Sequence, residues 1–77
     1  MEEVLTVYTG NGCAGCVEVK RYLKQEGYKI QERNVHTDQD AMDFLVNSGL
    51  RGVPHIFNIA GKWVGDGNNY KHFGNVS

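Results

Sequence analysis

Residues 10–16 read Gly-Asn-Gly-Cys-Ala-Gly-Cys, and the rest of the chain is arranged around this stretch. An apolar run, Val4 to Tyr8, precedes it and is typical of a buried strand. A segment with helical spacing of apolar residues follows it. The pattern therefore places Cys13 in a glycine-rich loop and Cys16 one turn into a helix.

A Cys-x-x-Cys pair at a strand-to-helix turn is typical of a thiol–disulfide redox site. The first N–H groups of a helix have no internal partner and carry partial positive charge. A sulfur at that position is stabilised as thiolate, which lowers its pKa below the ordinary value of about 8.5. Thiolate is the nucleophile of disulfide exchange. We expect Cys13 to be the exposed attacking sulfur and Cys16 the more buried one that resolves the mixed disulfide.

Length and composition limit what the chain can be. Its 77 residues suffice for one small domain, which we place at residues 1–77. The hydrophobic fraction of 40% and charged fraction of 22% are typical of a globular protein. A net charge of −1 gives no indication of nucleic-acid or membrane binding. The start, Met1-Glu2-Glu3, does not look like a signal peptide, and no apolar run approaches membrane-spanning length, so we expect a cytoplasmic protein.

The two cysteines are poorly placed for a structural role. A bridge across such a short loop stabilises a fold by roughly 2 kcal/mol in the chain-entropy model, against about 4.7 kcal/mol for a 100-residue loop. A structural zinc site would need further ligands, and the sequence offers only His36, His55 and His72. We therefore expect redox chemistry that requires no metal.

The remaining elements follow in alternation. We predict a helix from Ala14 to about Glu26, stopped by Gly27, and then a strand over 28–35. Thr37 is the expected N-cap of a second helix that ends at Gly49. Its expected inner face consists of Ala41, Met42, Leu45 and Val46.

The last third of the chain predicts a hairpin and a short helix. The hairpin strands are expected at residues 55–59 and 62–64, joined by a turn at Ala60-Gly61. Residues 65–67 are expected to form a loop. Asn68 or Asn69 is a candidate cap for a final helix that buries Tyr70 and Phe73.

These elements predict an α/β fold. The first two strands should be parallel and joined by a right-handed crossover, and the hairpin should add antiparallel strands. Helices on both faces would bury the sheet. Among the other side chains, we expect His55 to be a strand residue without a catalytic role, His36 and His72 to lie on the surface, and Trp63 to pack in the hairpin.

From about Val4 to Phe73 the chain resembles a glutaredoxin, in the thioredoxin superfamily. Three motifs carry the resemblance: Cys-Ala-Gly-Cys at 13–16, Gly-Val-Pro-His-Ile-Phe at 52–57, and Gly-Asp-Gly-Asn-Asn-Tyr at 65–70. The resemblance implies a thioredoxin-like fold of glutaredoxin type. It has a four-stranded mixed sheet of order 2-1-3-4, with the redox pair at the start of the first helix.

The resemblance also implies binding residues. Pro54 matches the family's cis-proline, which lies against the cysteine pair. Val53 matches the residue whose main chain contacts a bound thiol peptide, a pairing that needs no side-chain readout. Gly67, Asn68 and Asn69 match the turn that holds the γ-glutamyl carboxylate of glutathione, in keeping with carboxylate binding at helix N-termini.

This sequence departs from the family at several positions. Gly10 stands where members commonly carry a lysine, and Ala14 and Gly15 stand where they commonly carry Pro and Tyr. Asn68 and Asn69 replace acidic residues that are frequent at the glutathione turn; an amide accepts a hydrogen bond but offers no charge. These departures leave dithiol chemistry intact and bear on glutathione affinity.

The resemblance implies a dithiol oxidoreductase of protein and glutathione disulfides, monomeric and re-reduced by glutathione, with a role in electron transport and cell redox homeostasis. Disulfide-containing proteins, among them ribonucleotide reductase, are the implied partners. One alternative is a redoxin that thioredoxin reductase reduces. Another is a [2Fe–2S] protein, since thiolates suit iron–sulfur ligation and no proline separates the cysteines. A third is an interaction module whose thiols stay reduced.

Overall fold

The structure, a computed structural model, describes residues 4–67 and residue 70. Strands and helices alternate in its first half, and a pair of short strands follows. The elements are β1 (Val4–Thr9), α1 (Ala14–Gln25), β2 (Lys29–Asn34), α2 (Gln39–Asn47), β3 (His55–Phe57) and β4 (Trp63–Asp66).

The four strands form one mixed sheet of order β2-β1-β3-β4. β1 and β2 are parallel, with Val4 opposite Lys29 and Thr9 opposite Asn34. β3 runs antiparallel to both β1 and β4. The predicted order and directions are confirmed, and β1, the strand that leads to the cysteines, is central.

One face of the sheet is covered by α1. Leu5 and Val7 of β1 and Ile56 of β3 pack there against Val19 and Leu23 of α1, and all five side chains are fully buried. The helical spacing of the α1 residues predicted this contact. It fixes the first turn of α1, and with it the cysteines, against the end of β1.

The other face is covered by α2. Tyr8 and Phe57 of the sheet pack there with Val35, and with Ala41 and Leu45 of α2. Helices therefore lie on both faces, as predicted. The fully buried side chains under α1 are aliphatic, with Tyr22, Tyr28 and Tyr70 partly buried beside them, whereas the buried side chains of this second cluster include aromatic rings.

The predicted inner face of α2 is partly wrong. Val46 is 63% exposed, whereas Met42 is half-buried and packs against the buried cluster as predicted. Phe44 instead turns its ring toward the sheet, stacking on Tyr8 at 5.3 Å and meeting Phe57 edge-to-face at 5.0 Å. The aromatic side chains of the sheet attract the ring, because aromatic pairs contribute beyond their buried area.

The ends of the helices follow the glycines. Gly27 and Gly49 have φ values of +93° and +76°, and the amides after them bond back to Leu23 and Leu45, as predicted. The start of α2 differs from the prediction. Asp38, not Thr37, is the N-cap, and its carboxylate accepts from the Ala41 amide.

Asp38 displaces Thr37 as the cap because it has a second partner. The Arg33 guanidinium, from the end of β2, lies 3.1 Å from the Asp38 carboxylate. The Ala41 amide, and then Arg33, hold the pKa of Asp38 below its usual value. An ion pair with a neighbouring element therefore selects between two residues that are both suited to cap a helix.

In the hairpin, β3 ends earlier than predicted and β4 ends later. β3 ends at Phe57, because the Asn58 side chain accepts hydrogen bonds from the amides of Ala60 and Lys62 and turns the chain. Ile59, predicted in the strand, is 82% exposed. β4 continues through Gly65 and Asp66, which were predicted to lie in a loop.

Two further observations concern the extent of the fold. Within residues 4–67 and 70, no helix has the length and apolarity needed to cross a bilayer. The predicted final helix and the burial of Phe73 lie outside the described residues. Tyr70 is described, and its ring packs edge-to-face on Tyr22 of α1 at 5.2 Å.

Candidate active site

Cys13 is the N-cap of α1. Its Sγ accepts a hydrogen bond from the backbone N–H of Cys16 at 3.0 Å, so a sulfur occupies the place of the usual hydroxyl or carboxylate. The preceding residue, Gly12, has φ +69°, a left-handed conformation that favours glycine. Free helix amides stabilise negative charge on an atom at this position.

Cys13 and Cys16 form a disulfide, with their Cα atoms 5.3 Å apart. Cys13 is half-buried, whereas Cys16 is 2% exposed. The sequence predicted this difference from the positions of the two residues at the loop and in the first turn. An incoming sulfur therefore reaches Cys13 more easily than Cys16.

The backbone of residues 52–54 lies beside the disulfide. The Cys13 Sγ is 4.0 Å from the carbonyl oxygen of Val53. The peptide bond between Val53 and Pro54 is cis, as the resemblance implied. Val53 therefore presents its main chain next to the reactive sulfur.

Two glycines leave room around Pro54. A Cβ on Gly67 would lie 3.2 Å from the proline Cδ, and a Cβ on Gly15 would lie 3.8 Å from it. A shallow cavity of about 200 Å³ lies on this side, between Arg51 to His55 and the end of β4 at Asp66 and Gly67. The structure thus brings Gly67 to Pro54, as the predicted binding turn requires.

The His55 side chain connects residues 51–54 to β4 by two hydrogen bonds. Its Nδ1 accepts from the Trp63 indole N–H at 3.2 Å, which leaves the ring proton on Nε2 to donate to the Arg51 carbonyl at 2.9 Å. The side chain is 7% exposed. Because both ring nitrogens have partners, His55 acts as a structural residue, and Trp63 packs against it as expected.

A polar cluster lies on the opposite side of the cysteines. The buried Thr9 hydroxyl donates to the Glu32 carboxylate at 2.8 Å, and the Lys20 ammonium donates to the same carboxylate at 2.9 Å. The bonds from Lys20 and Thr9 hold the pKa of Glu32 below its usual value. These three residues line a cleft of about 490 Å³ together with Cys13 and Cys16.

His36 is a site residue that the sequence did not reveal. Predicted to be an ordinary surface residue, it lies beside the loop before Cys13, and its Nδ1 accepts from the Asn11 amide at 2.7 Å. The parallel pairing of β1 and β2 was the available signal. Since both strands end at the same edge, the residues after Thr9 meet those after Asn34.

Two of the predicted binding residues, Asn68 and Asn69, lie outside the described residues. Val53 lies beside Cys13, and Gly67 lies beside Pro54. Over residues 4–67 and 70, no three His, Cys, Asp or Glu side chains are grouped so as to hold a metal ion.

A thioredoxin-like fold with a Cys-x-x-Cys disulfide at the start of its first helix defines a thiol–disulfide redox protein. Comparison with known proteins gives the family. The sequence model of glutaredoxin matches residues 5–64. The chain belongs to the glutaredoxin family, and it is a glutaredoxin-like thiol–disulfide oxidoreductase.

Similar sequences come from bacteria. The chain is 34% identical to N-acetyl-S-hydroxy-L-cysteine reductase of Bacillus subtilis over 68 residues, which cover 87% of this chain and 67% of that protein. It is 33% identical to the glutaredoxin-like protein NrdH of Salmonella typhimurium over 61 residues, covering 79% and 75%.

Similar solved structures agree with the fold. The crystal structure of the thioredoxin-like protein BC3987 superposes with a TM-score of 0.75 at 26% identity, covering 90% of this chain and 97% of the other. A buckwheat glutaredoxin–glutathione complex gives 0.74 at 25% identity, covering 96% and 71%.

Proposed function

We propose that this protein reduces disulfides of protein substrates, with Cys13 as the attacking sulfur. The observation that carries the proposal is the position of Cys13, half-buried at the N-terminus of α1 with its Sγ on the Cys16 amide. When the pair is reduced, that amide and the helix dipole favour the thiolate of Cys13 over that of Cys16.

The reaction takes two exchange steps. The Cys13 thiolate attacks one sulfur of a substrate disulfide, forms a mixed disulfide with it, and releases the other sulfur as a thiolate. The Cys16 thiol then loses its proton to water and attacks Cys13. The second substrate thiolate leaves, and the Cys13–Cys16 disulfide seen in the structure remains. The substrate gains two electrons and the cysteine pair loses them.

Glutathione is the first candidate to return the two electrons. Two molecules of glutathione would reduce the pair and leave as glutathione disulfide. Support comes from the cis Val53–Pro54 backbone beside Cys13, from the proximity of Gly67 to Pro54, and from the structural similarity to a glutaredoxin–glutathione complex. In this proposal Val53, Pro54, Gly67, Asn68 and Asn69 bind the tripeptide.

Thioredoxin reductase is the second candidate. Gly10, three residues before Cys13, carries no cationic side chain to meet a glutathione carboxylate. The nearest lysine lining the cysteine cleft, Lys20, is paired with Glu32. Both features favour a protein reductant, which docks over a surface and needs no single carboxylate contact.

The substrates would share one chemistry. Disulfide proteins, with ribonucleotide reductase among the candidates, fit the first exchange step. The name of the Bacillus relative specifies a small S-hydroxy cysteine derivative. Attack by Cys13 on such a sulfur would release hydroxide and form the same kind of mixed disulfide, which Cys16 would resolve. We place this activity in a cytoplasmic monomer.

The test compares two serine variants in two coupled assays. NADPH consumption is followed with glutathione and glutathione reductase in one assay and with thioredoxin reductase alone in the other. Cys13→Ser should abolish turnover in both assays. Cys16→Ser should retain reduction of glutathione mixed disulfides and lose reduction of a protein disulfide.

Each result has one interpretation. Activity that survives Cys13→Ser would overturn the assigned nucleophile. Turnover in the thioredoxin reductase assay together with no turnover in the glutathione assay would remove the glutathione contacts from the proposal. A coloured protein with a [2Fe–2S] absorption spectrum after anaerobic reconstitution, and no turnover in either assay, would replace the oxidoreductase proposal with the cluster-binding alternative.

A further inference from the structure

We propose that His36 is a positioning residue for the nucleophile: its imidazole holds the loop that carries Cys13. The Nδ1 atom accepts the Asn11 amide hydrogen at 2.7 Å, two residues before Cys13. The inference rests on the proposed role of Cys13 and concerns how its sulfur is kept on the Cys16 amide.

The loop needs an external support because of its own sequence. Asn11 stands between Gly10 and Gly12, and glycine has the largest backbone freedom of any residue. Both Asn11 and Gly12 are exposed, so little packing restrains them. Without an anchor, the loop would sample many conformations, and in few of them would the Cys13 Sγ meet the start of α1.

Three hydrogen bonds supply the anchor by joining this loop to the end of β2. The Asn11 amide donates to His36, the Asn34 side-chain amide donates to the Asn11 side-chain oxygen at 3.0 Å, and the His36 amide donates to the Asn34 side-chain oxygen at 2.8 Å. The bonds close a ring through Asn11, Asn34 and His36. We call these three residues the loop clamp.

The His36 ring lies so close to Gly10 that no larger residue fits at position 10. A Cβ at this position would lie 2.9 Å from the His36 Cε1 and 3.2 Å from the Val53 Cγ2. Real Cβ atoms essentially never approach another atom that closely. The imidazole and the Val53 side chain therefore occupy the space that any side chain at position 10 would need.

Charged groups near the loop that carries Cys13 could also affect the reactivity of its sulfur. Arg51 lines the groove that His36 shares with Val53, and Lys20 and Glu32 line the cleft on the cysteine side. Arg33 and Asp38, near His36 in sequence, pair with each other. These charges stay in place when His36 is substituted, so a change in Cys13 reactivity would report the clamp.

The experiment measures the rate at which iodoacetamide alkylates Cys13 in the reduced full chain between pH 5 and 9. His36→Leu keeps the volume and removes the acceptor, and it should lower the rate at neutral pH by about three- to tenfold, the loss expected for one hydrogen bond. His36→Asn places an oxygen where Nδ1 was, on the same Cβ–Cγ framework, and should restore the rate.

Gly10→Ala breaks the clamp without changing the histidine. It should reproduce the loss of His36→Leu, and the loss should be smaller in the His36→Asn background, where Cε1 is absent. Thr37→Ala, at the exposed position after His36, is the matched control: its hydroxyl meets only the Asn34 main-chain carbonyl and none of the three clamp bonds, so the rate should be unchanged. Urea unfolding of each variant measures stability separately.

Two outcomes would overturn the proposal. One is an unchanged alkylation rate in His36→Leu and Gly10→Ala. The other is an equal loss in His36→Leu and His36→Asn, which would show that the ring and not its acceptor matters. Should His36→Leu fail to fold, the comparison of Gly10→Ala in the two backgrounds decides. None of these alkylation rates depends on glutathione or thioredoxin reductase. A failure of the His36 proposal can therefore be distinguished from a failure of the proposed function in the coupled assays.

Discussion

The two sides of Cys13 are built from different chemistry. On one side, which we call the substrate side, Val53, Pro54 and Gly67 present backbone and small side chains. On the other, the support side, the Thr9 hydroxyl and the Lys20 ammonium both donate to the Glu32 carboxylate. Backbone recognition accepts many partners, whereas side-chain bonds fix one geometry. The substrate side therefore offers few side chains that could select a partner, whereas the support side has a fixed hydrogen-bond geometry.

The largest expected effect comes from the residue that holds the substrate side. His55→Leu removes both hydrogen bonds of a buried side chain and leaves the Arg51 carbonyl and the Trp63 indole N–H without this partner. We expect a loss of about 1–3 kcal/mol in the free energy of unfolding, measured in urea. Trp63→Phe removes one of the two bonds and should cost less. Equal stability of His55→Leu and the parent chain would show that other contacts hold residues 51–54.

A smaller effect is expected on the support side. Thr9 is 1% exposed, and its hydroxyl donates to Glu32. Thr9→Val keeps the shape and removes the donor, so the free energy of unfolding should fall by about 1 kcal/mol. Thr6→Val, at a half-buried position on the opposite face of β1, is the control and should change stability little. A similar loss at both positions would contradict a specific role for the Thr9–Glu32 bond.

The smallest expected effect is on the stability of the fold at low pH. Because the folded state lowers the pKa of Glu32, its contribution to stability is present above the ordinary carboxyl value and is lost as pH falls through the folded one. The Glu32 side chain is 42% exposed, so solvent screening leaves a fraction of 1 kcal/mol at most, on the order of a surface ion pair. Thermal unfolding at pH 3 and pH 6 should show a smaller loss of stability for Glu32→Gln than for the parent chain, with Asp38 contributing in both. An equal pH dependence in the two proteins would assign it to other carboxylates.

The order of elements was predictable because it follows local patterns. Apolar runs and helical spacing located the strands and helices, and glycines at 27 and 49 located two helix ends. The places of Cys13 and Cys16 at the loop and in the first turn followed from the same patterns. The motif match to the family then gave the sheet order and the cis bond before Pro54.

The errors share a cause, which is contact between residues distant in sequence. Asp38 is the cap of α2 because Arg33 reaches it, and Phe44 turns inward because aromatic rings of the sheet lie beneath it. His36 joins the site because two parallel strands end side by side. Asn58 is the exception: its turn is local, and a strand pattern that continued to Ile59 concealed it.

The sulfur that caps α1 also makes the helix a reporter of its own chemistry. In the disulfide, the Cys16 amide bonds to a neutral sulfur. In the reduced protein it would bond to an anion, and charge-assisted hydrogen bonds are shorter and stronger. The NMR chemical shift of this single amide proton should therefore move downfield on reduction. A titration of that resonance would follow the redox state of the pair without a coupled enzyme or a label.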